Sequence, residues 1–263
     1  MTSDEIDSTL RQLRMSGMAD AFSIRAQQAR AESLGPMDFL GLLLHDEMER
    51  RGDRLVERRI KEADFRDAKT LDTFNWTFNR IDRTLIFELA TGKFVERRED
   101  VLMLGNAGVG KSHIAQALGM AAIHGGFRVL YREAHRLFED LMLASVSGKR
   151  ASLVAKLNEV PLLIIDDLGM RKLPASAAED LLEIVMRRYE RASTIVTSNR
   201  PLDDWPKLFG DTPAVTVFLD RLMHHSHLIE MRGKSYRLHE SSQNARQRRG
   251  THLPQDTATV TEG

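Results

Sequence analysis

The sequence predicts an α/β fold: a phosphate-loop NTPase core, with a parallel sheet covered by helices on both faces, preceded by a small all-helical N-terminal domain. Three observations carry this. Residues 105–112 have the form G-x-x-x-x-G-K-[ST] and lie between an apolar run and a helical pattern. From residue 81 onward, helical patterns alternate with short, solid apolar runs, as in parallel strands buried on both faces. Residues 3–66 show helical spacing alone.

The helical domain spans 1–66. Thr2 and Glu5 have capping-box spacing, and Ile6, Leu10, Leu13 and Phe22 recur at helical intervals. Gly35-Pro36 breaks the pattern, and Pro36 suits the first turn of a new helix. Met37, Leu40, Leu44 and Met48 give that helix one face. It runs into Arg50, Arg51, Arg54, Arg58, Arg59, Lys61 and Arg66, interleaved with acids. This stretch reads either as a solvated face laced with i,i+4 pairs or as a nucleic-acid contact. Residues 67–80 read as a linker whose alternating Phe74, Trp76 and Phe78 suggest a short strand or an anchored extended segment.

The core spans 81–240. It reads as a helix over 81–92, a strand at 101–104, the phosphate loop, and a helix to about His124. A strand at 127–131 follows, then a helical region over 133–158 broken near Ser145–Gly148. A strand at 160–165, a helix over 175–191 and a strand at 194–197 complete it. Residues 241–263 are polar and read as a disordered tail.

Composition excludes several classes. There are no cysteines among the 263 residues, so no disulfide framework and no thiolate metal site. Lys+Arg and Asp+Glu are both 38, so only local clusters can indicate a charged partner. No apolar run approaches the roughly 18 residues of a membrane span, and the acidic start is unlike a signal peptide. The expectation is a cytoplasmic protein.

The phosphate loop is Gly105, Asn106, Ala107, Gly108, Val109, Gly110, Lys111 and Ser112, with His113 next on the helix. Glycines let backbone N–H groups approach phosphates, and a helix N-terminus favours their charge. Lys111 would reach the β- and γ-phosphates of ATP, and Ser112 would ligate Mg²⁺. Leu162-Leu163-Ile164-Ile165-Asp166-Asp167 is an apolar strand ending in two carboxylates. Asp166 would hold the Mg²⁺ shell and Asp167 would polarise the attacking water. Two adjacent acids at a buried site need a cation to offset their repulsion. Asn199, at the end of the 194–197 strand, points into the same crevice and could bond the γ-phosphate or the water. Ser198-Asn199-Arg200-Pro201 is also good turn chemistry. His224, His225 and His227 cluster without the spacing of a zinc site.

Together with Asp220-Arg221-Leu222-Met223-His224-His225-Ser226 and Gly233-Lys234-Ser235-Tyr236-Arg237-Leu238, these motifs resemble the IstB type of AAA+ ATPase. Met15-Ser16-Gly17-Met18 and Ala63-Asp64-Phe65 fit the same pattern, so the resemblance covers residues 1 to about 240. It implies an ATP-hydrolysing helper of bacterial insertion-sequence transposition, which oligomerises on duplex DNA and stimulates a partner transposase. It also implies that Arg221 completes a neighbouring subunit's site, and it makes Arg237 the candidate for a lid arginine. The adjacent Asp166-Asp167 departs from the commoner Asp-Glu of AAA+ proteins. DnaC-type helicase loaders share every core motif and are the alternative. A phosphate-loop kinase and a nucleotide-gated scaffold are further alternatives. A kinase would ignore DNA, and a scaffold would not turn ATP over.

Overall fold

A computed structural model of the chain describes residues 1–237 and His239, apart from Arg80, Lys172, Ala175, Asp211 and Thr212. The tail expected over 241–263 lies outside the described residues. The chain forms two compact units, the first Met1–Glu62 and the second starting at Ala63.

The first unit is helical: α1 (Ser3–Gln12), α2 (Ser16–Ala31) and α3, which begins at Pro36 and runs to Ala63. The Thr2 hydroxyl accepts from the Glu5 N–H while the Glu5 carboxylate accepts from the Thr2 N–H, a complete capping box. The start of α2 has no side-chain cap of its own. The buried Glu47 of α3 supplies one, accepting from Gly17 N–H at 2.6 Å and Met18 N–H at 3.1 Å. A carboxylate is stabilised at that end of a helix by the same partial positive charge that leaves the N–H groups unpaired. Arg25 and Asp46 add a bidentate pair at 2.7–2.8 Å between α2 and α3.

The second unit begins with α4 (Arg83–Ala90), α5 (Lys93–Glu96), β1 (Asp100–Gly105) and α6 (Lys111–His124). It continues through β2 (Val129–Glu133), α7 (Ala134–Val146), α8 (Arg150–Glu159), β3 (Leu162–Leu168) and α9 (Ala177–Arg188). It closes with β4 (Ser193–Ser198), α10 (Trp205–Phe209), α11 (Pro213–His224) and β5 (Ser226–Met231). The five strands are all parallel, in the order β2-β3-β4-β1-β5.

Leu102, Leu104, Leu130, Leu163, Ile165 and Val196 point into one core with α7 to α11. The alternate residues Val101, Met103, Ile164 and Ile195 are equally buried on the opposite face. Gly119 of α6 lies against Ile164 there. Helices therefore cover both faces, and the strands read as unbroken apolar runs because neither side meets water. The fifth strand was not expected. Its sequence, Ser226-His227-Leu228-Ile229-Glu230-Met231, mixes polar and apolar residues because it is an edge strand exposed on one side.

One buried pair lies away from the crevice. Arg188 is 1% exposed and donates to Leu157 O, Val160 O and the Thr194 hydroxyl. Asp100 accepts from Thr194 N–H at 2.6 Å. Burial pushes the Asp100 carboxyl up to about 7, against the opposing pull of Thr194 N–H and Arg188. The folded chain then holds a proton, between its unfolded value of 3.8 and about 7, that the unfolded chain has released. This group's contribution to stability is thus greatest below that window and falls as pH rises through it. Asp100→Asn removes the dependence and keeps an oxygen for Thr194. Its melting temperature, relative to the unmodified chain, should be higher at pH 8 than at pH 5. Only the two units between pH 5 and about 7 count, so at about 1.4 kcal/mol per pKa unit the difference is at most about 3 kcal/mol. Thermal unfolding at the two pH values checks it, and parallel pH dependences would show that Asp100 is ionised in the fold.

Candidate nucleotide site

Parallel pairing brings the carboxyl ends of four strands together. Leu104 faces Ser198 and Glu133 faces Asp166 in register. A crevice of about 500 Å³ opens beside these ends. Ala107 to His113, Asp167, Asn199 and Arg237 line it. Gly105 and Asn106 line a neighbouring cavity on the other side of the loop, which Asn199 also reaches.

The loop geometry depends on its glycines. Gly108 and Gly110 have φ of +79° and +106°, where an L side chain is strained. A Cβ on Gly110 would also strike the Phe74 ring at 2.6 Å. Gly110 ends the loop and starts α6, so the helix N-terminus opens into the crevice. Lys111 is 4% exposed, and its ammonium donates to Gly105 O at 2.7 Å and Asn106 O at 2.9 Å. Burial lowers its pKa, while Asp167 and Asp166 oppose the shift.

Asp166 is fully buried and accepts from the Tyr131 hydroxyl at 2.7 Å and from the Thr197 hydroxyl. Burial and the neighbouring Asp166 carboxylate push the Tyr131 hydroxyl up. Asp167 differs in every respect. The β3–β4 register shifts between Ile165 and Leu168, and Asp167 takes φ +57° there. A bulge of this kind re-aims a side chain, and a left-handed non-glycine residue stores strain where a site needs it. The Asp167 N–H is held by the Thr197 hydroxyl at 2.9 Å, and its carboxylate lines the crevice. Burial first, then Asp166, raises its pKa, while Arg66, Lys111 and Arg237 pull it down.

Ser112 lies beside Lys111 in the crevice. A hydroxyl and two carboxylates are the hard oxygen donors that Mg²⁺ prefers, so the residues present fit that ion. The glycine turns, the N-terminus of α6 and the Lys111 ammonium likewise fit a nucleotide's phosphates. Asn199 Oδ1 is buried without a hydrogen-bond partner among the described residues, an acceptor aimed at neither strand nor turn.

His113 Nε2 donates to Thr70 O at 2.9 Å and lies 3.2 Å from the Thr73 hydroxyl, with the ring edge-on to Phe74. Burial lowers its pKa. The segment expected as a linker is therefore anchored against α6, with no strand among its described residues. Trp76 stacks on Phe87, and Arg83 lies over both rings. The segment after β5 is stitched onto the loop in the same way. Tyr236 N–H donates to Gly108 O at 2.9 Å, and Asn79 bridges Val109 O and both backbone groups of Lys234.

Arg221 does not line the crevice. It lies on α11 with its guanidinium 4.9 Å over the Tyr189 ring, and the Tyr189 hydroxyl is 2.7 Å from His224 Nδ1. Its Nε is buried without a partner among the described residues. His224 and His225 lie beside Glu190, whereas His227 pairs with Glu99 at 2.9 Å, so the three histidines do not converge.

Arg66 also lines the crevice and pairs with Glu133, and the sequence singled out neither for the site. Glu133 ends an apolar strand and was findable by the rule that located Asp166. Arg66 was submerged in a run of arginines.

Comparison with known proteins shows the family. Residues 8–244 match the model of the IstB-like ATP binding protein family. The chain is 38% identical over 237 residues to the protein named as the ATP-binding protein of insertion sequence IS21 in Pseudomonas aeruginosa, covering 90% of this chain and 89% of that one. It is 35% identical to the corresponding protein named for IS5376 of Geobacillus stearothermophilus, covering 90% and 95%. Among solved structures, DnaI superposes with a TM-score of 0.55 at 19% identity, covering 62% of this chain and 91% of that one, a likeness of fold. Among the described residues no helix is long and apolar enough to cross a membrane.

Proposed function

The chain belongs to the IstB-like ATP-binding protein family, and we propose that it hydrolyses ATP as a DNA-bound assembly of identical subunits serving a transposase. The observation that carries this is the crevice itself, where a buried Lys111 and a glycine-built loop stand opposite the strained Asp167.

Each residue then has a task. Backbone N–H groups of Ala107 to Ser112 cradle the phosphates, and the Lys111 ammonium exchanges its two loop carbonyls for phosphate oxygens. Ser112 and Asp166 would hold Mg²⁺, which when bound offsets charge on the phosphates. The hydroxyls of Tyr131 and Thr197 fix the buried Asp166 carboxylate, which would reach the ion's shell through water and not by entering the crevice. Asp167 orients water and accepts its proton, and its raised pKa, caused by burial and Asp166, makes it a stronger base than an exposed carboxylate. Asn199 offers its unpaired Oδ1 to that water. Arg221, held outside the crevice on Tyr189, serves a neighbour. Arg237, at the rim, is the candidate lid arginine.

The arginines of α3 supply the DNA surface. Arg54 and Arg58 are held by exposed contacts with Ser16 and Glu62. Exposed pairs are worth under about 1 kcal/mol, so phosphates can displace them at little cost. One subunit binds few phosphates, and an assembly along one duplex adds such contacts. Affinity for duplex DNA should therefore be much higher with ATP than with ADP. Its logarithm should fall with log salt by about 0.9 per phosphate contact. Replacing Arg54, Arg58 and Arg59 with Ala should flatten that slope for every sequence alike. Filter binding across salt concentrations tests this, together with ATP turnover with and without duplex. Equal binding in ADP, or turnover indifferent to DNA, would point to a kinase or a scaffold instead.

A further inference from the structure

We propose that Arg66 is a positioning residue of the ATP site, holding the Asp167 carboxylate in its working orientation from within the same subunit. This rests on the reading of Asp167 as the water-activating base.

The backbone around Arg66 is fixed on both sides. Asp64 turns the chain through φ +59°, and its carboxylate takes Arg132 at 3.1 Å. Phe65 packs on the Tyr131 ring at 5.9 Å, and a Cβ on Gly119 of α6 would touch it at 2.9 Å. Asp67 N–H donates to Gln116 on α6 at 3.0 Å. Between these anchors the Arg66 side chain enters the crevice. Its Nη1 bonds Glu133 Oε1 at 3.1 Å and stands 3.9 Å from Asp167 Oδ2. Glu133 is itself nearly buried, and it is further tied by Arg136 at 3.1 Å.

The geometry has a mechanical consequence. Asp167 sits in a strained backbone conformation, and among the described residues Thr197 holds its N–H and Arg66 faces its carboxylate. Lys111 and Arg237 also attract that carboxylate, and Asp166 repels it. Lys111, however, is committed to the phosphates when nucleotide binds. Arg66, clamped by Glu133, then remains to keep the Asp167 carboxylate from following Lys111 towards the phosphates. An arginine suits the task because its planar fork can face two carboxylates at once, and a lysine's point charge does so less well.

The test separates positioning from binding. Arg66→Ala should lower kcat by roughly 10²-fold, the scale of a misplaced catalytic group. The affinity for a fluorescent, non-hydrolysable ATP analogue should stay within about twofold, because Lys111 and the loop remain. Arg66→Lys should recover part of the rate. Glu133→Gln, which loosens the anchor but keeps its size, should lose an intermediate amount. Added to Asp167→Asn, Arg66→Ala should cost nothing further, since a residue acting through Asp167 has nothing left to position. Thermal melts of all variants show whether each is folded. A loss of analogue affinity that matches the loss of kcat would overturn the proposal, making Arg66 a phosphate ligand. So would an unchanged kcat, or a further loss on the Asp167→Asn background. If Asp167→Asn alone turns ATP over normally, the base lies elsewhere, and the reading of Asp167 fails before that of Arg66.

Discussion

Lys111→Ala should weaken ATP binding by at least about a hundredfold and leave the fold intact. The Lys111 ammonium is buried and touches the loop carbonyls of Gly105 and Asn106. Those carbonyls carry partial charge only, and burial depresses the lysine's pKa against the pull of Asp167 and Asp166. A phosphate is a better partner than a carbonyl, because both members are then ionised. Charge-assisted hydrogen bonds are worth about 1.5–3 kcal/mol each. Losing two of them costs about 3 kcal/mol or more, and 1.4 kcal/mol is tenfold in Kd. The same change takes a cation away from Asp166 and Asp167 and a donor from two loop carbonyls, so the melting temperature should fall modestly, and a thermal melt checks that the variant is folded. Titrating a fluorescent ATP analogue into both proteins measures the loss. Unchanged affinity would show that the phosphates do not occupy this loop.

The parts of the molecule legible in the sequence were those where local chemistry and position coincide. The loop over 105–112 could be placed because its glycines, its lysine and its flanking strand and helix all fall within one short window. Asp166 and Asp167 were legible for the same reason, as acids ending an apolar run. Their order in the motif also suggested separate tasks, metal shell for Asp166 and water for Asp167, but not how the backbone separates them. Adjacent aspartates look alike in a string of letters, and only the bulge between Ile165 and Leu168 turns one inward and the other into the crevice. β5 escaped because an edge strand carries polar residues on its open side. Arg66 escaped because its role is set by Phe65 and Asp67 docking on residues some fifty positions away. The Met15-Ser16-Gly17-Met18 segment was noticed as a motif, but its reason lies in Glu47, thirty residues later in α3.

Arg221→Ala should bind ATP normally and hydrolyse it slowly if, as proposed, the residue serves a neighbouring subunit's site. Its guanidinium rests on Tyr189 and does not line the crevice with Lys111 and Asp167. The Tyr189 ring fixes the direction of the side chain without consuming its donors, since a cation over an aromatic face leaves the guanidinium N–H groups free to bond. Nε is buried without a partner among the described residues, so any donor offered to a neighbour is one of the terminal guanidinium N–H groups. A head-to-tail assembly would bring α11 of one subunit to the crevice of the next. Arginines supplied in this way are worth roughly 10³–10⁵ in rate in phosphoryl transfer. Turnover by the DNA-bound assembly should fall on that scale while analogue affinity stays near that of the unmodified chain. Mixing supplies the sharper test. An Arg221→Ala subunit keeps an intact crevice, and a Lys111→Ala subunit keeps an intact arginine. In an equal mixture of the two, about a quarter of head-to-tail interfaces pair the intact crevice with the intact arginine. Turnover should reappear there although neither variant is active alone. A mixture as inactive as its components would mean that Arg221 acts within its own subunit or not at all.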